Sequence, residues 1–216
     1  MNSQARGPVK RIADSTVRRL SLYLSFLEEL NGSGTATVSS DVLARLGGTT
    51  SAQVRKDLSF FGSFGKRGLG YSVLELTASL RDILGLGRQW KVCVVGAGKI
   101  GVALARYPGF TYKGFNIVAV YDTDIQKIGS QWDALTVRDV ARLPEDAIPE
   151  GFDIGVIAVP AEAAQGVADL LVASGITAIM NFAPVQIAVP ADVIVRTVNM
   201  ALEFEGLSFA LANRAK

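Results

Sequence analysis

Histidine is absent from the 216-residue sequence, and cysteine occurs once, as Cys93. Without histidine or a second cysteine, the usual zinc sites and any intrachain disulfide are excluded. The lack of histidine also removes the commonest general acid and base from any enzyme mechanism. Cys93 lies inside an apolar run, and we interpret it as a small buried hydrophobic residue.

Long apolar runs are missing too. No stretch approaches the roughly 18 consecutive apolar residues that a membrane span needs, and the first residues are polar and basic rather than signal-like. We therefore expect a cytoplasmic protein without a membrane partner and without a metal. Hydrophobic residues still make up 49% of the chain, which is enough for a sizeable core.

Acidic residues are scarce in the first part of the chain. Residues 1–89 contain 12 Lys and Arg against 7 Asp and Glu, a net charge of +5. Residues 90–216 contain 10 against 13, a net charge of −3. This separation predicts a basic first domain that meets a polyanion, followed by a mildly acidic domain.

A glycine motif lies near the middle of the sequence, where Lys91 to Gly101 read Lys-Val-Cys-Val-Val-Gly-Ala-Gly-Lys-Ile-Gly. The apolar residues predict a buried parallel strand, and the G-x-G-x-x-G pattern that follows is typical of dinucleotide binding. Its first glycine permits a tight turn, its second lets the backbone approach a pyrophosphate, and its third lets helix and strand pack closely. The candidate cofactor-binding residues of this motif are Gly96, Ala97, Gly98, Lys99, Ile100 and Gly101.

Asp122 follows the next predicted strand, residues 116–121, and lies 21 residues beyond Gly101. An acid about 20 residues beyond the glycines is expected to bind a ribose 2′-hydroxyl and to repel the 2′-phosphate of NADP. The order of strand, glycines, helix, strand and acid therefore predicts a dinucleotide site, and a purely structural β-α-β turn is the alternative. Pro160 and Asn181 come at the ends of later strands, where such sheets bind ligands, and join the candidate site.

The rest of this region predicts a doubly wound parallel sheet. Strands are expected at 152–159, 176–182 and 193–198, with helices at about 136–143 and 161–174. Strands that alternate with helices in this way are typical of an α/β fold with parallel strands.

Four helices are predicted in the basic first part. In the first of them Val17, Leu20, Leu24 and Leu27 recur at helical spacing and form an apolar stripe. Glycines follow the first three helices, as expected at helix ends. The four helices are expected at about 14–30, 40–46, 51–61 and 72–84.

The third of these helices carries a polar and basic face, whose residue types read base edges and phosphates. A short helix, a glycine turn and a second helix with such a face form the helix-turn-helix arrangement. The glycine-rich segment 62–71 then predicts a hairpin wing on DNA, and an ordinary solvated loop is the alternative. The candidate DNA-binding residues are Ser51, Gln53, Arg55, Lys56 and Ser59 on the helix, with Lys66 and Arg67 at the tip of the hairpin.

The last helix, expected at about 200–213, is apolar around most of its circumference. Met200, Phe204, Leu207 and Leu211 form one stripe, while further apolar residues lie on other faces. Because such a helix must be buried on more than one side, we expect it to pack against a second copy of the chain as a helix exchanged between subunits. The alternative is a helix tucked into its own domain.

Four segments of the sequence resemble the Rex family of redox-sensing transcriptional repressors. They are Gln53–Tyr71, Gly96–Gly101, Tyr107-Pro-Gly-Phe110 and Asn181-Phe-Ala-Pro184, in an order that runs over nearly the whole chain. The resemblance implies a homodimer with winged-helix domains for DNA, Rossmann-like domains for NAD(H), and a terminal helix that crosses into the partner subunit. It also implies that NAD⁺ is compatible with operator binding, whereas NADH favours release of the DNA.

The resemblance also implies a switch. In this family it uses an arginine on the first helix, a tyrosine after the glycine motif and an acid at the start of the terminal helix. The matching positions here are Arg19, Tyr107 and Asn199. Asn199 departs from the pattern because it is uncharged, so a hydrogen bond at this position is no longer charge-assisted.

The expected fold class is therefore α/β, divided into three regions. Residues 1–88 are predicted to form a winged-helix DNA-binding domain, 89–198 a Rossmann-like doubly wound NAD(H)-binding domain, and 199–216 a dimerisation helix. A homodimer with two DNA-binding domains is expected to bind palindromic double-stranded DNA. The leading interpretation is a repressor, not an enzyme, that is gated by the NADH/NAD⁺ ratio. The alternatives are an NAD-dependent oxidoreductase with an appended basic domain, and a binder of CoA or another nucleotide.

Overall fold

The computed structural model describes residues 12–65 and 68–214, and the chain divides after Arg88 into two compact units. The described part of the first unit is mainly helical and includes one short antiparallel strand pair. In chain order its elements are α1 (Asp14–Gly32), β1 (Thr37–Val38), α2 (Ser40–Leu46), α3 (Ser51–Ser59), β2 (Tyr71–Ser72) and α4 (Val73–Ile83).

Hydroxyl side chains cap three of these helices. Ser39, Thr50 and Ser72 each accept a hydrogen bond from the backbone N–H three residues further on, at 3.1–3.3 Å. Such caps satisfy an N–H that has no partner within the helix. Gly48 lies between α2 and α3 with φ of 61°, a left-handed conformation that glycine adopts without steric cost. The predicted helix, turn and second helix are therefore present.

One apolar cluster holds the first unit together. From α1, Leu20, Tyr23, Leu24 and Leu27 are at most 1% exposed. The sequence prediction that placed Val17 in this stripe is wrong, because the buried face of α1 is rotated towards Tyr23 and Val17 is 40% exposed. The members of the cluster from α2, α3 and α4 are Leu43, Ala44, Val54, Leu58, Val73, Leu76 and Leu80.

The segment between α3 and β2 differs from a simple hairpin. Its described residues are irregular, with turns and bends, and β2 pairs antiparallel with β1, where Val38 lies opposite Tyr71. The chain nevertheless reverses direction here. The backbone of Gly65 lies close to that of Gly70, so a Cβ atom on Gly65 would collide with the Gly70 carbonyl oxygen. The predicted tip residues, Lys66 and Arg67, lie outside the described residues.

The second unit alternates strands and helices. Its elements in chain order are β3 (Trp90–Val95), α5 (Lys99–Ala105), α6 (Pro108–Tyr112), β4 (Phe115–Asp122), β5 (Gln131–Trp132), β6 (Leu135–Asp139), α7 (Leu143–Glu150), β7 (Ile154–Ile157), α8 (Ala161–Ala173), β8 (Ala178–Asn181), β9 (Ile194–Thr197) and α9 (Met200–Ala212).

The strands form one sheet in the order β5-β6-β4-β3-β7-β8-β9. All neighbours are parallel except β5 and β6. The chain leaves β3 in one direction towards β4 and β6, and then returns to add β7 on the other side of β3. Such a reversal creates a crevice at the carboxyl ends of β3 and β7, which is where doubly wound sheets bind ligands.

Apolar residues fill both faces of the sheet. Cys93 and Val95 of β3 belong to one buried cluster, and Val92 and Val94 belong to another. Because successive side chains of a strand point to opposite faces, β3 is covered on both sides. The single cysteine is fully buried, and this burial raises the pKa of its thiol to about 12.

One prediction beyond the glycine motif is wrong, and one short helix was missed. The helix expected at 136–143 is replaced by β6 and a short 3₁₀ turn, and α7 begins only at Leu143. Val137 explains the strand, because it is 1% exposed and pairs with Val120 of β4 in parallel register. The short helix α6 was not predicted, because its five residues do not establish a helical period.

The terminal helix α9 is formed as predicted, but none of its residues is buried. Its six large apolar side chains are 59–72% exposed. The alternative that tucked this helix into its own domain is therefore wrong. These apolar side chains are Met200, Leu202, Phe204, Leu207, Phe209 and Leu211.

Across residues 12–65 and 68–214, no helix combines the length and the apolarity that crossing a membrane requires.

Candidate nucleic-acid interface and dinucleotide site

The glycine motif forms the turn from β3 into α5, at the switch point of the sheet. Gly96 has φ of 111°, and a Cβ atom there would collide with the carbonyl oxygen of Ala158 at the end of β7. A Cβ atom on Gly101 would collide with the carbonyl oxygen of Gly96. These two glycines are therefore required by the fold itself.

Gly98 differs from its two neighbours in the motif. Its φ is −86°, which any residue adopts, and a Cβ atom built on it meets no atom within 4 Å. The fold therefore does not explain a glycine at this position. Open space over the second glycine is what the approach of a pyrophosphate requires.

Asp122 lies at the end of β4, beside this turn, and is 9% exposed. Its Oδ2 atom accepts hydrogen bonds from the Ala97 backbone N–H at 2.7 Å and from Lys127 Nζ at 3.2 Å. Its Oδ1 atom accepts one from the Asp124 N–H at 2.8 Å. A carboxylate offers about four acceptor positions, so one remains on Oδ1 for a ribose hydroxyl.

These contacts keep Asp122 ionised. Burial alone would raise the pKa of its carboxyl, but the two backbone N–H groups and Lys127 lower it, and the net shift is downward. Lys127 was not among the sequence candidates. It forms ion pairs with both Asp122 and Asp124, five and three residues before it in the chain.

The remaining cofactor candidates also lie at the carboxyl ends of strands. Pro160 is exposed and precedes the first residue of α8. Asn181 is fully buried, and its side chain bonds the loop that follows, donating to the Val185 carbonyl and accepting from the Ala183 N–H. Asn181 thus shapes the loop beyond β8. Lys99 and Ile100 open α5 and are both exposed.

Each of the three predicted switch residues makes contacts within its own unit. Tyr107 is 58% exposed and its ring packs edge-on against Phe110, with centroids 5.0 Å apart. Asn199 caps α9, because its side-chain oxygen accepts a hydrogen bond from the Ala201 N–H at 3.0 Å. Arg19 binds Asp57 within the first unit. The switch role of these residues stays a prediction.

Five of the seven candidate DNA-binding residues lie along α3, between Ser51 and Ser59. Arg55 and Lys56 are exposed, and Arg55 donates from Nη1 to Ser40 Oγ on α2 at 2.9 Å. Ser59 is exposed and donates to the Lys56 carbonyl, whereas Ser51 begins the helix. The helix therefore presents two cations, flanked by hydroxyl groups, to its surroundings.

Gln53 is the exception on this helix. Its Nε2 atom donates to Asp57 Oδ1 at 2.8 Å, one helical turn further on. Asp57 is completely buried. Gln53 is among the sequence candidates, but Asp57, the partner that holds it, is not.

Asp57 is the centre of a buried polar cluster between α1 and α3. Arg19 binds both carboxylate oxygens, from Nε to Oδ2 at 2.7 Å and from Nη2 to Oδ1 at 2.8 Å. Tyr23 Oη donates to Oδ2 at 3.1 Å, and Arg19 Nη2 also bonds Thr16 Oγ1. The signal in the sequence was an acid three residues after Val54, within the apolar stripe of α3.

Contacts within the cluster change the pKa values of Asp57 and Tyr23. Burial alone would raise the pKa of Asp57, but the hydrogen bonds from Arg19, Gln53 and Tyr23 lower it, and the net shift is downward. Burial and the neighbouring carboxylate raise the pKa of Tyr23 to about 12. Asp57 is therefore an anion paired with the Arg19 cation in the folded protein.

Acid is expected to destabilise the first unit through Asp57. In the unfolded chain this carboxyl titrates near its ordinary pKa of 3.8, and in the folded chain at a lower pH. Between these two values the unfolded state binds more protons. The contribution to the free energy of unfolding is therefore complete above pH 3.8 and lost as the pH falls through the folded pKa.

Urea unfolding at pH values on both sides of 3.8 measures this effect. The variant Asp57→Asn carries no titrating group at this position, so its stability should fall less steeply with acid than that of the parent. Equal slopes for the two proteins would contradict the assignment.

Family models match both units of the chain. A model described as "Putative DNA-binding protein N-terminus" matches residues 11–59, and one described as "CoA binding domain" matches residues 87–185. The redox-sensing transcriptional repressor Rex of Syntrophomonas wolfei is 48% identical over 204 residues, which cover 94% of this chain and 97% of that protein.

Crystal structures of RSP, a Rex-family repressor, are similar over nearly the whole chain. The complex of RSP with β-NADH has a TM-score of 0.86 at 35% identity and covers 94% of this chain and 95% of that chain. The complex with β-NAD⁺ and operator DNA has a TM-score of 0.89 at 36% identity and covers 94% and 93%.

A helix-turn-helix in one unit and a Rossmann-like sheet in the other define a class of DNA-binding proteins that respond to a nucleotide. Within that class, the chain belongs to the Rex family of redox-sensing transcriptional repressors.

Proposed function

We propose that this chain represses transcription by binding operator DNA when it is free or bound to NAD⁺, and that NADH releases it. The observation that carries this proposal is the open turn at Gly98 beside the ionised Asp122, in a chain that also carries the basic face of α3. The RSP structures with β-NADH, and with β-NAD⁺ and operator DNA, support the same pair of ligands.

Each of the three consecutive regions of the chain has its own role. Residues 1–88 bind DNA, residues 89–198 bind NAD(H), and residues 199–216 hold two copies together. The polar and basic face of α3 contacts base edges and phosphates in the major groove. A homodimer presents two such helices, so a palindromic operator matches its symmetry. A protein with this role acts in the cytoplasm, where the DNA is.

Sensing requires no catalytic residue. It requires that the reduced and oxidised nicotinamide rings favour two different arrangements of the dimer. The oxidised ring carries a positive charge and the reduced ring does not, so a site of fixed polarity distinguishes them. The ligand then changes DNA affinity by changing the separation of the two DNA-binding regions. This separation determines affinity because the two half-sites of a palindrome have a fixed spacing. We therefore propose that the chain is not an enzyme.

Titrating DNA binding against the NADH/NAD⁺ ratio tests this proposal. A duplex selected by the protein from a random-sequence pool serves as the operator, and fluorescence anisotropy reports its binding at constant total nucleotide. We expect affinity to be retained in NAD⁺ and to fall as NADH replaces it. CoA in place of NADH should have no effect, and turnover of NADH with reducible substrates would contradict the non-enzymatic assignment.

The variant Arg55→Ala separates the two sites. It removes an exposed guanidinium from α3, so operator binding should weaken by about 1–3 kcal/mol. NADH affinity, measured by calorimetry on the same protein, should equal that of the parent because Arg55 lies outside the glycine motif. An equal loss of both affinities would contradict the division into DNA-binding and nucleotide-binding regions.

A further inference from the structure

Gln53 and Asp57 form a hydrogen-bonded pair on the helix to which we assign DNA binding. Gln53 is the third residue of α3, and the N-terminal residues of a recognition helix are those that reach base edges. A glutamine side chain recognises adenine by accepting from N6–H with its oxygen and donating to N7 with its nitrogen. This recognition works in only one of the two orientations of the amide.

Asp57 determines which orientation Gln53 adopts. An ionised carboxylate only accepts hydrogen bonds, so the atom of Gln53 that faces it at 2.8 Å must be the nitrogen. The amide then has one N–H directed at Asp57. Its oxygen and its second N–H remain, which are the acceptor and the donor that adenine requires.

Asp57 itself is fixed by the rest of the cluster. Arg19 binds both of its oxygens and Tyr23 binds one, so the carboxylate is held from α1 while it holds Gln53 on α3. Asp57 is 0% exposed, so its carboxylate is held by these protein donors and is itself inaccessible to solvent. The amide of Gln53 is thus oriented before DNA arrives.

We propose that Asp57 is a positioning residue for sequence reading, which holds Gln53 in the amide orientation that recognises adenine. This inference rests on the proposed function, because it requires that α3 reads DNA. It gives the ion pair between Arg19 and the buried Asp57 the role of orienting a side chain that reads bases.

Base preference in a selection experiment distinguishes this role from a general loss of stability. Parent, Gln53→Ala, Asp57→Asn and the double variant each select duplexes from the same random-sequence pool. We expect Gln53→Ala to relax an adenine preference at one position of each half-site, on the order of tenfold. Asp57→Asn should relax the same position, and the double variant should lose no more than either single variant.

Asp82→Asn is the matched control, because Asp82 is an exposed acid on α4 in the same unit. It should select the same sequences as the parent. A purely structural role of Asp57 would lower affinity for all sequences alike, and an unchanged adenine preference in Asp57→Asn would overturn the inference. If the parent selects no sequence at all, the proposed function fails, and this failure is distinct from that of the inference.

A measurement on the parent protein covers the case in which Asp57→Asn does not fold. The two Nε2 hydrogens of Gln53 give separate NMR signals, and one of them should exchange with water at least about tenfold more slowly than those of an exposed glutamine, because it is bound to Asp57. Equal and fast exchange of both hydrogens would overturn the inference.

Discussion

Replacing Gly98 by alanine is expected to weaken binding of both NADH and NAD⁺ while the protein stays as stable as the parent. A methyl group on Gly98 meets no protein atom within 4 Å, so the ligand-free fold accepts it. The same methyl group occupies the space through which a pyrophosphate approaches the backbone. Both dissociation constants should rise by at least about tenfold, which corresponds to ~1.4 kcal/mol. Calorimetry measures binding, and thermal unfolding measures stability.

Two other glycines provide matched controls for this variant. A methyl group on Gly101 collides with the Gly96 carbonyl oxygen, so Gly101→Ala should lose stability together with binding. Gly166 lies in α8 with open space around it, so Gly166→Ala should bind NADH normally. It should also be slightly more stable, because alanine is favoured over glycine in a helix by about 0.5–1 kcal/mol. Normal NADH binding by Gly98→Ala would contradict a pyrophosphate over this turn.

The Gly98→Ala variant also has a consequence for DNA. Its operator affinity should match that of the parent in the absence of nucleotide, because the substitution lies outside the first unit. It should then stay bound to the operator at an NADH/NAD⁺ ratio that releases the parent. Release at the parental ratio would show that NADH acts through another site.

The helices of the first unit were predictable because their signals are local. Ser39 and Thr50 cap the helices that follow them, and Gly47 caps the C-terminus of α2 between them. The apolar stripe of α3 follows directly from helical spacing. The exact face of α1 was not predictable, because the choice between Val17 and Tyr23 depends on which side the other helices occupy.

The region between Asp122 and α7 was poorly predicted because its structure depends on distant partners. β6 contains one fully buried apolar residue, Val137, and its strand conformation is stabilised by pairing with β4, earlier in the chain. A five-residue segment carries too few positions to distinguish a helical period from an alternating one. The conformation of such a short element is determined by its pairing within the sheet rather than by its own sequence.

The candidate sites show the same contrast. Spacing alone predicted that Gly96, Gly98, Gly101 and Asp122 would meet, because β3 and β4 are adjacent parallel strands. Spacing does not show that Lys127 donates a hydrogen bond to Asp122. Nor does it show that Arg19 binds Asp57, which lies 38 residues further along the chain. A buried charge is located by its hydrogen-bond donors, and these come from parts of the chain that only folding brings together.

The exposed face of α9 leads to the second large expected effect, the loss of the proposed dimer in a Leu207→Asp variant. Leu207 is 61% exposed and lies on the apolar stripe with Phe204 and Leu211. Contiguous apolar surface of this kind marks an interface in folded proteins. Full burial of each such side chain contributes about 1.5–3 kcal/mol, so six of them supply a substantial part of a stable association.

Aspartate at position 207 places a charge in the centre of this surface, and burying an unpaired charge costs more than the lost apolar contact. Light scattering should therefore give the mass of two chains for the parent and of one chain for Leu207→Asp. Glu203→Gln, an exposed polar change in the first turn of the same helix, should keep the mass of two chains.

NADH binding should persist in Leu207→Asp, because the glycine turn and Asp122 lie in the sheet region. Affinity for a palindromic operator should fall to that for a single half-site, since one chain carries one α3. A parent of one-chain mass, or a variant of two-chain mass, would mean that this apolar face does not hold the dimer together.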